Sequence, residues 1–150
     1  MAFEGLDDLY REVILDHFQH PRHHEKIEPF DVEQEGFNPL CGDQIILQVK
    51  IDDGAISRIG FLGKGCSISQ ASASILTEEV IGKTLSEVEK KVNFFKAMMH
   101  GKKANGEDIG DLEALTGVSK FPVRIKCALL SWITLQEALD FYRKNHEQRS

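Results

Sequence analysis

Cysteine is scarce in this chain: there are three in 150 residues, an odd number that argues against a disulfide framework. No apolar segment opens the sequence, since Asp7 and Asp8 follow closely on Met1-Ala2-Phe3-Glu4-Gly5, and no long apolar run comes later. Both absences point to a cytoplasmic protein with no membrane span, whose thiols stay free or bind metal. Lys/Arg-rich blocks are missing as well, and the formal net charge is -6. That balance removes the long-range attraction to phosphate on which nonspecific nucleic-acid binding depends, so partners are expected among proteins, metals and small molecules. With no internal repeat, low-complexity stretch or linker, residues 1–150 read as one domain. A domain of this size buries roughly 68–70% of the surface its unfolded chain exposes, enough to fold without staples.

The elements follow from periodicity. Leu6, Leu9, Val13 and His17, with Tyr10 and Ile14 beside them, recur at helical spacing and predict a helix ending before Pro21. Phe30 and Val32 alternate with acids and predict a strand over residues 29–34. Ile45, Leu47, Val49 and Ile51 then alternate with polar residues, and Asp52-Asp53-Gly54 turns the chain into a second run over residues 55–62, a β-hairpin. After Gly63-Lys64-Gly65 the period changes to helical, with a small-residue face that ends near Gly82. Thr84-Leu85-Ser86-Glu87 is a capping box for a helix striped by Leu85, Val88, Val92, Phe95 and Met99 and ending at Gly101. Residues 102–110 are polar with an Asn105-Gly106 turn signal, and a short helical piece around Leu112 and Leu115 is expected to stop at Gly117. Pro122 can open a last helix running to about Tyr142, with Cys127 in its second turn. These elements make an α+β fold: a small antiparallel sheet of about three strands covered by five or six helices.

The three cysteines occupy backbone-shaping contexts: Asn38-Pro39-Leu40-Cys41-Gly42-Asp43, Gly63-Lys64-Gly65-Cys66-Ser67 and Phe121-Pro122-Val123-Arg124-Ile125-Lys126-Cys127. With Asp43 they offer four ligands of the kind zinc or iron accepts. If the chain is extended at Cys41 and Asp43, both side chains leave one face about 6–7 Å apart. Cys66 falls at a helix start, where exposed N–H groups favour thiolate. Taken singly, a free cysteine reads as a small buried hydrophobe. Three in such contexts, one beside an aspartate, favour metal or thiol chemistry, although the paired CxxC of a zinc ribbon is missing.

Other features carry less. His17, His20, His23 and His24 cluster at a polar helix end and read as solvated rather than ligating, while His100 and His146 carry no motif. Gly63-Lys64-Gly65 lacks the GxxxxGK[ST] spacing and reads as a turn presenting Cys66. Trp132, Phe141, Phe94, Phe95, Met98 and Met99 are placed in the core by helical spacing.

The motifs Ile14-Leu15-Asp16-His17 after Tyr10, Pro21-Arg22, the Cys41 and Cys66 contexts and Pro122-Val123-Arg124-Ile125-Lys126-Cys127 resemble the IscU/NifU N-terminal family of iron-sulfur cluster assembly proteins over essentially the whole chain. The chain is most similar to the SufU branch, through an extra segment around residues 101–121 and through Lys126, which stands where IscU scaffolds carry a histidine. That resemblance implies a zinc site made by Cys41, Asp43, Cys66 and Cys127. It implies a sulfurtransferase that accepts persulfide sulfur from a SufS-type cysteine desulfurase on Cys41, held on a mobile loop between Gly36 and Gly42, and passes it to downstream iron-sulfur scaffold or acceptor proteins. Two alternatives remain open: a scaffold for a transient [2Fe-2S] cluster on the same cysteines, and a binding module with purely structural zinc.

Overall fold

The computed structural model describes residues 8–102 and 110–149, with side chains placed from 11 to 102 and from 110 to 145. The Asn105-Gly106 turn, Leu6, and the side chains of Leu9, Tyr10 and His146 lie outside the described residues. Within them the order is α1 (Asp8–Gln19), β1 (Val32–Asn38), β2 (Asp43–Asp52), β3 (Ala55–Lys64), α2 (Ser67–Val80), α3 (Leu85–Met99), a 3₁₀ helix (Gly110–Lys120) and α4 (Pro122–Arg149). The strands form an antiparallel sheet in the order β1-β2-β3, so the expected α+β architecture is what the chain adopts.

The hairpin forms where the turn chemistry puts it. Asp53 and Gly54 both take positive φ, the pair of conformations whose twist matches flanking antiparallel strands. Along β2, Asp43, Ile45, Leu47, Val49 and Ile51 share the inward face, and Ile59 and Phe61 of β3 join them. A bulge opposite Lys50 and Ile51 shifts the phase so that Ile56 also points inward. One inward row of β2 thus begins with a carboxylate and continues in aliphatic residues.

α2 is the central helix, and its small face allows close approach on several sides. Ala71, Ala73, Ser72 and Ser74 are all fully buried. Ser72 Oγ donates to Ala128 O at 2.7 Å and accepts from Trp132 Nε1 at 3.0 Å, which bridges α2 to α4. Trp132 stacks on Phe95 of α3 with ring centroids 4.4 Å apart. α4 also crosses β1 at Gly36, where an added Cβ would run into Thr134 Oγ1. The capping box of α3 forms as expected, with Glu87 N donating to Thr84 Oγ1 and Thr84 N donating to Glu87 Oε1.

Several expectations need correction. The first strand covers Val32–Asn38 rather than 29–34; Phe30 is exposed, and β1 is instead held by its register with β2, from Val32 opposite Val49 to Asn38 opposite Asp43. The helical piece near Leu112 does not stop at Gly117 but continues as a 3₁₀ helix to Lys120. α4 runs past Tyr142 to Arg149, because no glycine or proline there ends it. Phe141 is exposed, unlike Trp132.

The histidines also separate. His17 is buried, since it shares a helix stripe with Val13 and Ile14 that faces the core. Its Nδ1 meets Ser74 Oγ at 2.7 Å and its Nε2 meets Asp111 Oδ2 at 2.7 Å, so one imidazole ties α1 to α2 and to the 3₁₀ helix. Arg22 N donates to the same Ser74 oxygen, leaving the hydroxyl proton for His17 Nδ1 and the Nε2 proton for Asp111. His20 stays exposed, His23 meets Thr77 Oγ1 and His24 packs on Phe61, so the four do not converge. Among the described residues no helix is long and apolar enough to cross a membrane.

Candidate functional site

At one end of the sheet the three cysteine segments meet. β1 ends at Asn38 and β2 begins at Asp43, so Cys41 sits on the four-residue turn between them. Gly42 N donates to Asn38 O at 2.8 Å and closes this turn. The extended geometry expected for Cys41 and Asp43 is therefore replaced by a reversal, and only residues 39–42 form a loop. The expected mobile segment from Gly36 is corrected accordingly, because Gly36, Phe37 and Asn38 pair with Ile45, Gln44 and Asp43 in the sheet.

Asp43 is fully buried at the head of the inward β2 row. Its Oδ1 accepts from Cys66 N at 2.8 Å. Gly65 makes this possible: its φ of +157° suits glycine, and a Cβ there would collide with Asp43 Oδ1 and crowd Ser69 Oγ. Cys66 is the N-cap of α2, its Sγ accepting from Ser69 N at 3.5 Å and lying 4.0 Å from Asp43 Oδ2. Cys127 comes from the second turn of α4, which the Ser72 bridge holds against α2. Its Sγ is 3.0 Å from Cys41 Sγ and 3.9 Å from Asn38 Nδ2.

The sequence-derived set is thus brought together, though not evenly. Ligand atoms of Cys41, Asp43 and Cys127 lie within 4.8 Å of one another, while Cys66 stands at the rim of that cluster, next to Asp43. Cys127 and Asp43 are buried; Cys41 and Cys66 are half-buried. Burial first, and then hydrogen bonding with Cys41 and Asp43 and the charge and hydrogen bonding of Cys66, pushes the Cys127 thiol far above its usual range. Among the described residues no ion pair involves the sealed Asp43 carboxylate, and a set of thiols and a carboxylate within this span suits a cation of the zinc class.

Arg124 was passed over in the sequence. Burial opposes its charge, but a hydrogen bond to Cys127 and the fields of Cys66, Cys127 and Cys41 outweigh that and hold its guanidinium above the ordinary range. Its place three residues before Cys127 on one helix face was the available signal. Lys126 is exposed beside the buried Cys127. Around the mouth, Phe37, Leu40 and Val123 are 63%, 66% and 60% exposed, an apolar rim on both sides of Cys41.

Known proteins share the sequence pattern and the fold. The model of the NifU-like N terminal domain family matches residues 9–148. The chain is 45% identical over 141 residues to the zinc-dependent sulfurtransferase SufU of Bacillus subtilis, covering 93% of this chain and 95% of that one. It is 42% identical over 140 residues to the iron-sulfur cluster assembly scaffold protein IscU of Streptococcus pyogenes, covering 93% and 87%. Among solved structures, a putative iron-sulfur cluster assembly scaffold protein for the SUF system from Fervidobacterium islandicum superposes with a TM-score of 0.81 at 38% identity, covering 85% of this chain and 94% of that one. The family match over residues 9–148, the identity to these relatives and the shared fold show that the chain belongs to the NifU-like N-terminal domain family.

Proposed function

We propose that the chain, acting as one domain, is a zinc-dependent sulfurtransferase of iron-sulfur cluster assembly that takes persulfide sulfur from a SufS-type cysteine desulfurase onto Cys41. The observation that carries this reading is the asymmetry of the site: Cys41 is half-exposed on a four-residue turn, whereas Asp43 and Cys127 are sealed. Cys41, Asp43, Cys66 and Cys127 would hold the metal, which when bound keeps a cysteine as thiolate near neutral pH. The Cys41 sulfur attacks the outer sulfur of the desulfurase persulfide, the donor's S–S bond breaks, and the donor cysteine leaves as thiolate. Phe37, Leu40 and Val123 give the desulfurase an apolar surface surrounding the transfer point. The loaded sulfur then passes to downstream iron-sulfur scaffold or acceptor proteins.

The test is desulfurase turnover with and without this protein, in zinc-loaded and metal-stripped forms. Stimulation by the loaded form, lost on Cys41→Ala with an unchanged circular dichroism spectrum, is expected. No stimulation in either form, or sulfur uptake by Cys41→Ala, overturns the reading. A second reading, a scaffold for a transient [2Fe-2S] cluster, is favoured by the 42% identity to a protein named as such a scaffold. Anaerobic purification separates the two, because zinc is colourless and a cluster absorbs broadly in the visible.

A further inference from the structure

Cys41 and Cys127 come from segments 86 residues apart, yet their sulfur atoms lie 3.0 Å from each other. A disulfide needs about 2.05 Å, so closure takes a shift of about 1 Å. The Cys41 side can supply it, since residues 39–42 form a turn outside the ladder, while Cys127 is fixed in a buried helix. Cys66 is placed differently: its sulfur caps α2 through Ser69 N and lies toward Asp43, outside the mutual cluster. The two half-buried cysteines are open to a small oxidant, and Cys41 has the Cys127 thiol directly against it, whereas the Cys66 sulfur is engaged at the helix cap. We infer that Cys41 and Cys127 form a reversible modification site for hydroperoxides, closing to a disulfide when metal is lost.

In the first step Cys41 Sγ attacks a hydroperoxide oxygen, the O–O bond breaks, and water or an alcohol leaves, making Cys41 a sulfenic acid. In the second, Cys127 Sγ attacks Cys41 Sγ and the S–O bond breaks. The departing hydroxide takes up the Cys127 proton as water. The two sulfurs supply the two electrons that reduce the peroxide, and a dithiol reverses the change. The product lacks the acceptor thiol and two of the three sulfur ligands of a metal, so oxidation turns the site off without consuming Cys66. The inference rests on the proposed zinc site only for the protection that bound metal confers.

The experiment uses the wild-type chain, metal-stripped by chelation and exposed to hydrogen peroxide without any desulfurase. Intact mass should fall by about 2 Da, a value that follows from the loss of two thiol hydrogens. Peptide mapping should join Cys41 to Cys127, leave Cys66 alkylatable, and show full reversal by dithiothreitol. Zinc loading should slow the reaction at least tenfold, on the order of the protection expected when ligand sulfur is occupied. Cys66→Ser should still close the bond, and Cys127→Ser should leave a sulfenic acid on Cys41 that a dimedone probe captures. A Cys41-Cys66 link, dimers joined between chains, or oxygen addition without loss of two hydrogens overturns the inference. Equal rates with and without zinc overturn the protection. None of these readouts involves sulfur transfer, so either claim can fail alone.

Discussion

Among the described residues the polar cluster around His17 and the one around Asp43 are bonded differently. Around His17 both ring nitrogens are matched within the protein by oxygen partners: Asp111 accepts from the imidazole, Ser74 occupies its other nitrogen, and Arg22 N completes Ser74. Around Asp43 the side-chain partners are sulfur. One carboxylate oxygen takes Cys66 N, the other meets Cys66 Sγ at 4.0 Å, and the Cys41 and Cys127 thiols face each other. A network of nitrogen and oxygen partners in a low-dielectric interior stabilises and specifies the fold, whereas a carboxylate met by several thiols is a set that a metal ion can recruit. The comparison teaches that burial of a polar group does not distinguish structure from function; the chemistry of its partners does.

Four substitutions test this contrast. Asp43→Ala should weaken zinc binding the most, by at least about 100-fold, the upper end of what even an outer-shell partner is worth. Competition with a chromophoric chelator reads it out, and unchanged affinity would remove Asp43 from the ligand set. His17→Ala should cost about 2–3 kcal/mol in urea unfolding of the metal-stripped protein, through a buried hydroxyl left short of a partner and a cavity. Its zinc affinity should stay at the wild-type level; a loss there would merge the two clusters into one. Gly65→Ala should lie between the two in kind, costing about 1–3 kcal/mol from its backbone conformation and from the displaced Asp43 carboxylate. It should lower zinc affinity as well, so a stable Gly65→Ala protein with full affinity would show that the tight turn does not position the carboxylate. Phe141→Ser, on exposed α4 surface, should change unfolding stability by no more than about 0.5 kcal/mol. A larger cost would show that this end of α4 is packed rather than solvated.

Local chemistry made much of the framework legible. The Asp53-Gly54 turn, the Thr84 capping box and the β2 alternation each depend on neighbours a few residues apart, and each forms where expected. Cys66 at a helix start follows from the same kind of signal. The start of β1 was not legible, since Phe30 and Val32 alternate equally well in either frame and only pairing with β2 selects Val32–Asn38. His17 belonged at once to an apolar stripe and to a polar helix end. Its burial depends on Ser74 and Asp111, which lie 57 and 94 residues away.

By itself the sequence determined the elements, the family resemblance and the identity of the four candidate ligands, because residue types, turn signals and caps act over short range. Tertiary structure alone decided their inequality. Helix packing through Ser72 brings Cys127 to Cys41, the sheet register puts Asp43 at the sealed head of an apolar row, and the reversal at residues 39–42 leaves Cys41 half-exposed. Those are distances between segments far apart in the chain, and only the folded core sets them.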